Sequence, residues 1–78
     1  MVIAMSEKDQ ECIKFGHTVR RLRESLKYSQ EEFANRANVH RTYMGGIERG
    51  ERNITLTTIC KIAKALEISP AKLFELDE

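Results

Sequence analysis

The 78-residue chain has no tryptophan, a single proline and two cysteines, and only 6% of its residues are aromatic. Each scarcity argues against a class of protein. Cys12 and Cys60 lie far apart, and neither belongs to a CxxC pair or a Cys/His cluster with zinc spacing, so free thiols in a reducing compartment are expected rather than a metal site or a disulfide framework. No stretch approaches the roughly 20 apolar residues of a membrane span. The opening MVIAM is too short for a signal sequence and gives way at once to Ser6-Glu7-Lys8-Asp9. A cytoplasmic protein with no membrane partner follows. Residues 1–8 read as an N-terminal tail without an evident structural task, and Met5 is a candidate start.

Catalytic sets are missing as well. The chain holds two histidines and scattered serines, with no nucleophile elbow, no HExxH helix and no phosphate-cradling glycine loop. His17 reads as an ordinary surface or boundary side chain. No enzyme, cofactor or metal site is expected.

What is present is a chain 41% hydrophobic and 32% charged, the balance of a soluble globular domain. Its length supports one domain, spanning residues 9–78. A fold of this size buries only about 60–65% of its unfolded surface, so stability is modest unless the chain oligomerises. Net charge is +1, which taken alone argues against a nucleic-acid partner. The distribution argues for one: residues 14–52 hold nine bases and five acids, whereas residues 53–78 hold three bases and four acids.

Apolar spacings of three and four at Cys12, Phe15, Val19, Leu22 and Leu26 predict an amphipathic first helix over about residues 9–27. Gly16 within it is unfavourable against alanine and points to a close contact with another helix. Ser29-Gln-Glu-Glu32 matches a capping box and starts a second helix, Gln30 to Ala37. A third runs from about Arg41 to Arg49 and ends at Gly50, suited to the left-handed conformation. Thr55 caps a fourth, with Leu56, Ile59, Ala63 and Leu66 inward and Ile62 widening the stripe. Ser69-Pro70 opens a short fifth that carries Leu73, Phe74 and Leu76. The fold class is all-α, a compact five-helix bundle.

The segment QEEFANRANVHRTYMGGIER is the informative one. Two short helices meet at a tight turn, Asn38-Val39-His40, with apolar or small residues at Phe33, Ala34, Ala37, Val39, Met44 and Ile47 where they must touch. Asn38 is among the few non-glycine residues that tolerate a left-handed corner. Such a pair presents its second helix to the DNA major groove. With Met44 and Ile47 inward, Arg41, Thr42, Gly45 and Arg49 fall on or near the outer surface. Arginine can donate twice to guanine and threonine can meet thymine's methyl or offer a hydroxyl. His40 suits either a helix cap or a phosphate neighbour, and Tyr43 the sugar-phosphate backbone. Gly45-Gly46 costs roughly 1 kcal/mol per glycine in a helix. Close approach to base edges and close approach to an underlying helix both account for it.

These residues resemble the small Cro/C1-type (XRE-like) helix-turn-helix regulators from about Phe15 to Leu76, a lambda repressor-like DNA-binding domain. HRTYMGGIERGERNITL is most similar to the controller proteins of restriction-modification systems, which carry a similar RTY(x)xG(I/V)ERxxRN(I/V)T run. The resemblance implies a homodimer on a partly palindromic operator in double-stranded DNA, both activating and repressing its own operon, with RNA polymerase as a further partner. It implies base reading by Arg41 and Thr42, which the outward placement of Gly45 joins, and backbone or minor-groove contacts from Gln30, Tyr43, Arg49, Arg52 and Asn53, which His40 joins as a phosphate neighbour. It also implies an ion pair between Arg23 and Glu48. Where relatives often have glycine, this chain has Asn38. One short helix reads too few bases to find an operator, which is why a twofold dimer is expected, with Ile68, Phe74 and Leu76 at its interface and residues about 69–76 as the dimerisation helix. A stand-alone repressor or antitoxin is the alternative within DNA binding, and a protein-interaction module the alternative outside it.

Overall fold

Three hydroxyls and an imidazole set the starts of four of the five helices in the computed structural model, which describes residues 10–76. The N-terminal tail expected over residues 1–8 lies outside that range. The helices are α1 (Gln10–Ser25), α2 (Gln30–Ala37), α3 (Arg41–Glu48), α4 (Leu56–Ala65) and α5 (Pro70–Glu75). Ser29 accepts from the Glu32 amide while the Glu32 carboxylate accepts from the Ser29 amide, completing the expected capping box. That backbone hydrogen bond holds the Glu32 carboxyl below its ordinary range. Thr55 and Ser69 cap α4 and α5 in the same sense. Among the described residues no strand forms.

The helix ends follow one rule. At Lys27, Asn38, Gly50 and Glu67 the backbone turns left-handed, with φ of 66°, 55°, 75° and 61°. In each case the next amide reaches back five residues: Tyr28 to Arg23, Val39 to Ala34, Glu51 to Gly46 and Ile68 to Ala63, at 2.9–3.3 Å. This is the Schellman closure, which satisfies carbonyls the helix leaves orphaned. It overturns one expectation. The first helix does not run to Lys27 but stops at Ser25, and Leu26, expected in the inward stripe, is 45% exposed.

Inside, Phe15 and Val19 from α1 pack with Phe33, Ala34 and Ala37 from α2, Met44 and Ile47 from α3, Ile62, Ala63 and Leu66 from α4, and Leu73 from α5. Of the expected inward stripe of α4, Ala63 and Leu66 are buried and Ile59 half-buried, and Leu56 alone departs from it. Ile62 is fully buried, whereas Leu56 is 71% exposed because the first turn of α4 stands clear of the core. Phe74 is 49% exposed, with its ring tilted against Phe15 at 5.5 Å.

Gly16 explains how α1 and α3 cross. A Cβ at this position would run into the Ile47 carbonyl oxygen and come within 2.8 Å of that of Glu48. The two backbones are in contact, and neither can give way as a side chain would. Gly16→Ala is therefore expected to destabilise the domain by about 1–3 kcal/mol through overpacking, against a gain of up to ~1 kcal/mol from helix propensity alone. Urea denaturation separates the two signs, and an unchanged or raised midpoint would show that the crossing has slack.

Candidate nucleic-acid interface

Glu48, at the end of α3 and buried, is the centre of the helix-turn-helix. Its Oε2 accepts from Arg23 Nε at 2.7 Å, and its Oε1 accepts from Arg23 Nη2 at 3.0 Å and from Gln30 Nε2 at 3.1 Å. The third guanidinium nitrogen of Arg23 donates to the Tyr28 carbonyl at 2.8 Å. The hydrogen bonds that Arg23 donates to Glu48 raise the Arg23 pKa, so the guanidinium stays charged although it is buried. Among the described residues no buried side-chain polar atom is left without a partner. The expected Arg23–Glu48 pair is thus present, and its carboxylate ties α1, α2 and α3 together.

That brace turns the opposite face of α3 outward. Arg41 and Thr42 are exposed on its first turn and, with Gln30, Gly45 and Arg49, line one shallow concavity. Arg41 Nη1 lies 3.7 Å from Glu31 Oε2, and Arg49 Nε lies 3.1 Å from Glu51 Oε1. Both pairs are exposed, and such pairs contribute little, so either arginine can leave its partner for another anion. His40 is the cap of α3: its Nδ1 accepts from the Thr42 amide at 3.1 Å. The corner before it is the left-handed Asn38, as its residue type allows.

Three expected residues sit differently from their sequence reading. Gly45 is buried rather than outward, because Gln30 and Arg49 close over it. Gly46 is covered by the side chain of Arg52, from the loop after α3, whereas Gly45 meets Gln30 at the start of α2. Asn53 lies beyond the reading face and lines an apolar groove with Cys12, Phe15, Ile54, Ile59 and Phe74. Tyr43 is half-buried beneath the guanidinium of Arg52, 5.5 Å from the ring centroid. Sequence does not reveal that stack, nor the exposed partners Glu31 and Glu51, because surface pairings depend on side-chain paths that spacing does not encode. Among the described residues no three His, Cys, Asp or Glu side chains gather closely enough to hold a metal ion, and no helix is long and apolar enough to cross a membrane.

Residues 19–73 match the family model described as Helix-turn-helix. The chain belongs to that family. Within it, the chain is 47% identical to control protein C.BamHI of Bacillus amyloliquefaciens over 78% of its own length and 76% of that protein's. The structure is similar to that of the restriction-modification controller protein C.AhdI from Aeromonas hydrophila, with a TM-score of 0.79 and 45% identity over 82% of this chain and 97% of that one. It is similar also to the controller protein C.Esp1396I, solved as a tetramer on its natural 35 base-pair operator, with a TM-score of 0.82 and 33% identity over 88% and 91% of the two chains. The helix-turn-helix is accordingly that of a restriction-modification control protein.

Removing one partner of the buried pair tests how far this framework depends on it. Arg23→Ala or Glu48→Ala is expected to cost about 3–5 kcal/mol, because a charge is left buried and unpaired. Replacing both together, Arg23→Met with Glu48→Leu, should cost far less. Thermal denaturation of the three variants decides it; a double variant as unstable as the singles would show that packing around the pair, rather than its unpaired charge, sets the cost.

Proposed function

We propose that the chain is a sequence-specific DNA-binding regulator that acts as a homodimer on a partly palindromic operator and times the expression of a restriction-modification system, including its own gene. The observation that carries this reading is the concavity formed by Gln30, Arg41, Thr42, Gly45 and Arg49 on the outward face of α3. Arg41 and Thr42 supply base-edge donors and a methyl. Gln30, His40, Tyr43, Arg49 and Arg52 surround them with groups suited to phosphate and sugar, which fix register without reading sequence. The operator complex of C.Esp1396I supports the choice of duplex DNA as ligand.

A dimer follows from the small footprint of one reading helix. Two copies about 34–36 Å apart meet successive turns of one DNA face. Ile68 and Leu76 are half-buried and Phe74 is half-exposed at the α4–α5 end, an apolar surface that a second copy covers. The helix over residues 69–76 is then the dimerisation element of a single domain spanning residues 9–78. Activation and repression of its own operon come from where dimers sit relative to RNA polymerase, in the cytoplasm where both work.

Arg41→Ala is expected to lose about 1–3 kcal/mol of discrimination at one base pair per half-site. Gln30→Ala should instead weaken all sequences alike and change the salt dependence little, since its contact is uncharged. Fluorescence anisotropy on the DNA upstream of the gene, with single-base changes, measures both. A uniform loss for Arg41→Ala would remove its base-reading role, and a folded wild type that ignores this DNA would remove the function. Leu76→Glu is expected to shift the protein to monomer at micromolar concentration in sedimentation; an unchanged dimer would move the interface elsewhere.

A further inference from the structure

The adjacent glycines of α3 do not serve backbone freedom. Both lie within regular helix, and among the described glycines positive φ occurs at Gly50 alone. What they provide is space. A Cβ at Gly46 would come within 2.8 Å of Arg52 Nε and 2.9 Å of its Cγ, so the middle of the Arg52 side chain lies directly on the bare helix surface. The ring of Tyr43, three residues earlier and therefore on the same face, stands beside this floor as a wall, 5.5 Å from the guanidinium. Arg52 itself is exposed and comes from the loop after α3. Its neighbours on the reading face are held by acids, Arg41 by Glu31 and Arg49 by Glu51, whereas no described carboxylate lies within ion-pair distance of Arg52. Its position is set by shape and by the π-face of Tyr43, and its charge is left unneutralised.

We infer that Gly46 is a positioning residue for DNA binding: it makes the seat that pre-orders Arg52, against Tyr43, as a cation presented to the phosphate backbone. This rests on the reading of α3 as the DNA-reading helix. A long arginine on a loop loses rotamer freedom when it grips a ligand, and a seat that fixes it beforehand removes that loss from the binding step. Alanine at position 46 would leave the charge on the protein and improve the helix, yet push Arg52 off its floor.

The test is a double-mutant cycle in the full chain with wild type, Gly46→Ala, Arg52→Ala and the double variant, titrated by anisotropy onto duplex DNA from upstream of the gene, with melting temperature and sedimentation in parallel. Gly46→Ala should melt no lower than wild type and remain the same oligomer, yet bind roughly five- to thirtyfold more weakly over two half-sites, the scale of losing one exposed cation–π arrangement per protomer. Its salt dependence should stay near that of wild type. Arg52→Ala should bind more weakly and lower the logarithmic salt slope by about 0.9 for each phosphate that the arginine neutralises in the wild type. The double variant should bind no more weakly than Arg52→Ala. Wild-type affinity in either single variant overturns the inference. So does a double variant in which the two losses multiply, since Gly46 would then act on DNA by some route other than Arg52. Folded, dimeric wild type that does not bind the duplex overturns the reading of α3 and the inference with it, whereas wild-type binding alongside a silent Gly46→Ala overturns the inference alone.

Discussion

One buried carboxylate organises this small domain. Glu48 comes from the last turn of α3 and accepts hydrogen bonds from Arg23 of α1 and Gln30 of α2, so three helices share two oxygen atoms. Burying a charge is costly, and a bidentate arginine offsets that cost only when the geometry is good. The crossing at Gly16 supplies the geometry, because direct backbone contact with Ile47 and Glu48 leaves the two helices a single separation. A hydrophobic replacement could fill the same volume. It would not fix the direction in which Gln30 and the first turn of α3 face, and that direction decides which side chains point outward.

The exposed charges work on a different scale. Arg41 with Glu31 and Arg49 with Glu51 are surface pairs, separated by 3.7 and 3.1 Å, and screened by solvent. They restrain the arginines weakly in the free protein and yield at little cost to a polyanion. This reconciles a chain of net charge +1 with a nucleic-acid ligand. Local excess around α2 and α3 sets the field that a phosphate meets, while acids elsewhere keep the whole molecule near neutral. A low net charge also limits unspecific adhesion to DNA, which leaves more of the discrimination to base contacts.

Much of this architecture is legible in the sequence, for reasons that differ by feature. Ser29, Thr55 and Ser69 announce helix starts because capping is a local hydrogen bond, and each performs it. Asn38 and Gly50 announce left-handed ends because those residues tolerate positive φ. Lys27 and Glu67 adopt the same conformation with no such signal in their residue type, closed by the backbone hydrogen bonds of Tyr28 to Arg23 and Ile68 to Ala63. That is why α1 ends before its apolar periodicity does and Leu26 turns outward. Leu56 departs from its stripe for a related reason: periodicity assigns a face but cannot tell where the core stops. Arg23 and Glu48 are paired by resemblance rather than spacing, as 25 residues separate them. The seat of Arg52 on Gly46 is invisible in the sequence, because glycine in a helix signals only that something lies close.

The strained ends bear on how the domain works. Lys27 and Glu67, held left-handed without asparagine's tolerance for it, each withdraw stability, on the order of 1–2 kcal/mol by the usual steric penalty, from a fold already small enough to be marginal. Such a domain gains from any contact that covers apolar surface, and part of the surface still open is at the α4–α5 end, where Phe74 is half-exposed against Phe15. Arg21 of α1 donates to the Leu76 carbonyl at 2.8 Å and holds that end in place before a second copy arrives. In the proposed dimer, folding, association and DNA binding are therefore linked by mass action. Occupancy of a two-half-site operator rises steeply with chain concentration. A protein that controls its own gene converts slow accumulation into a delayed response in this way.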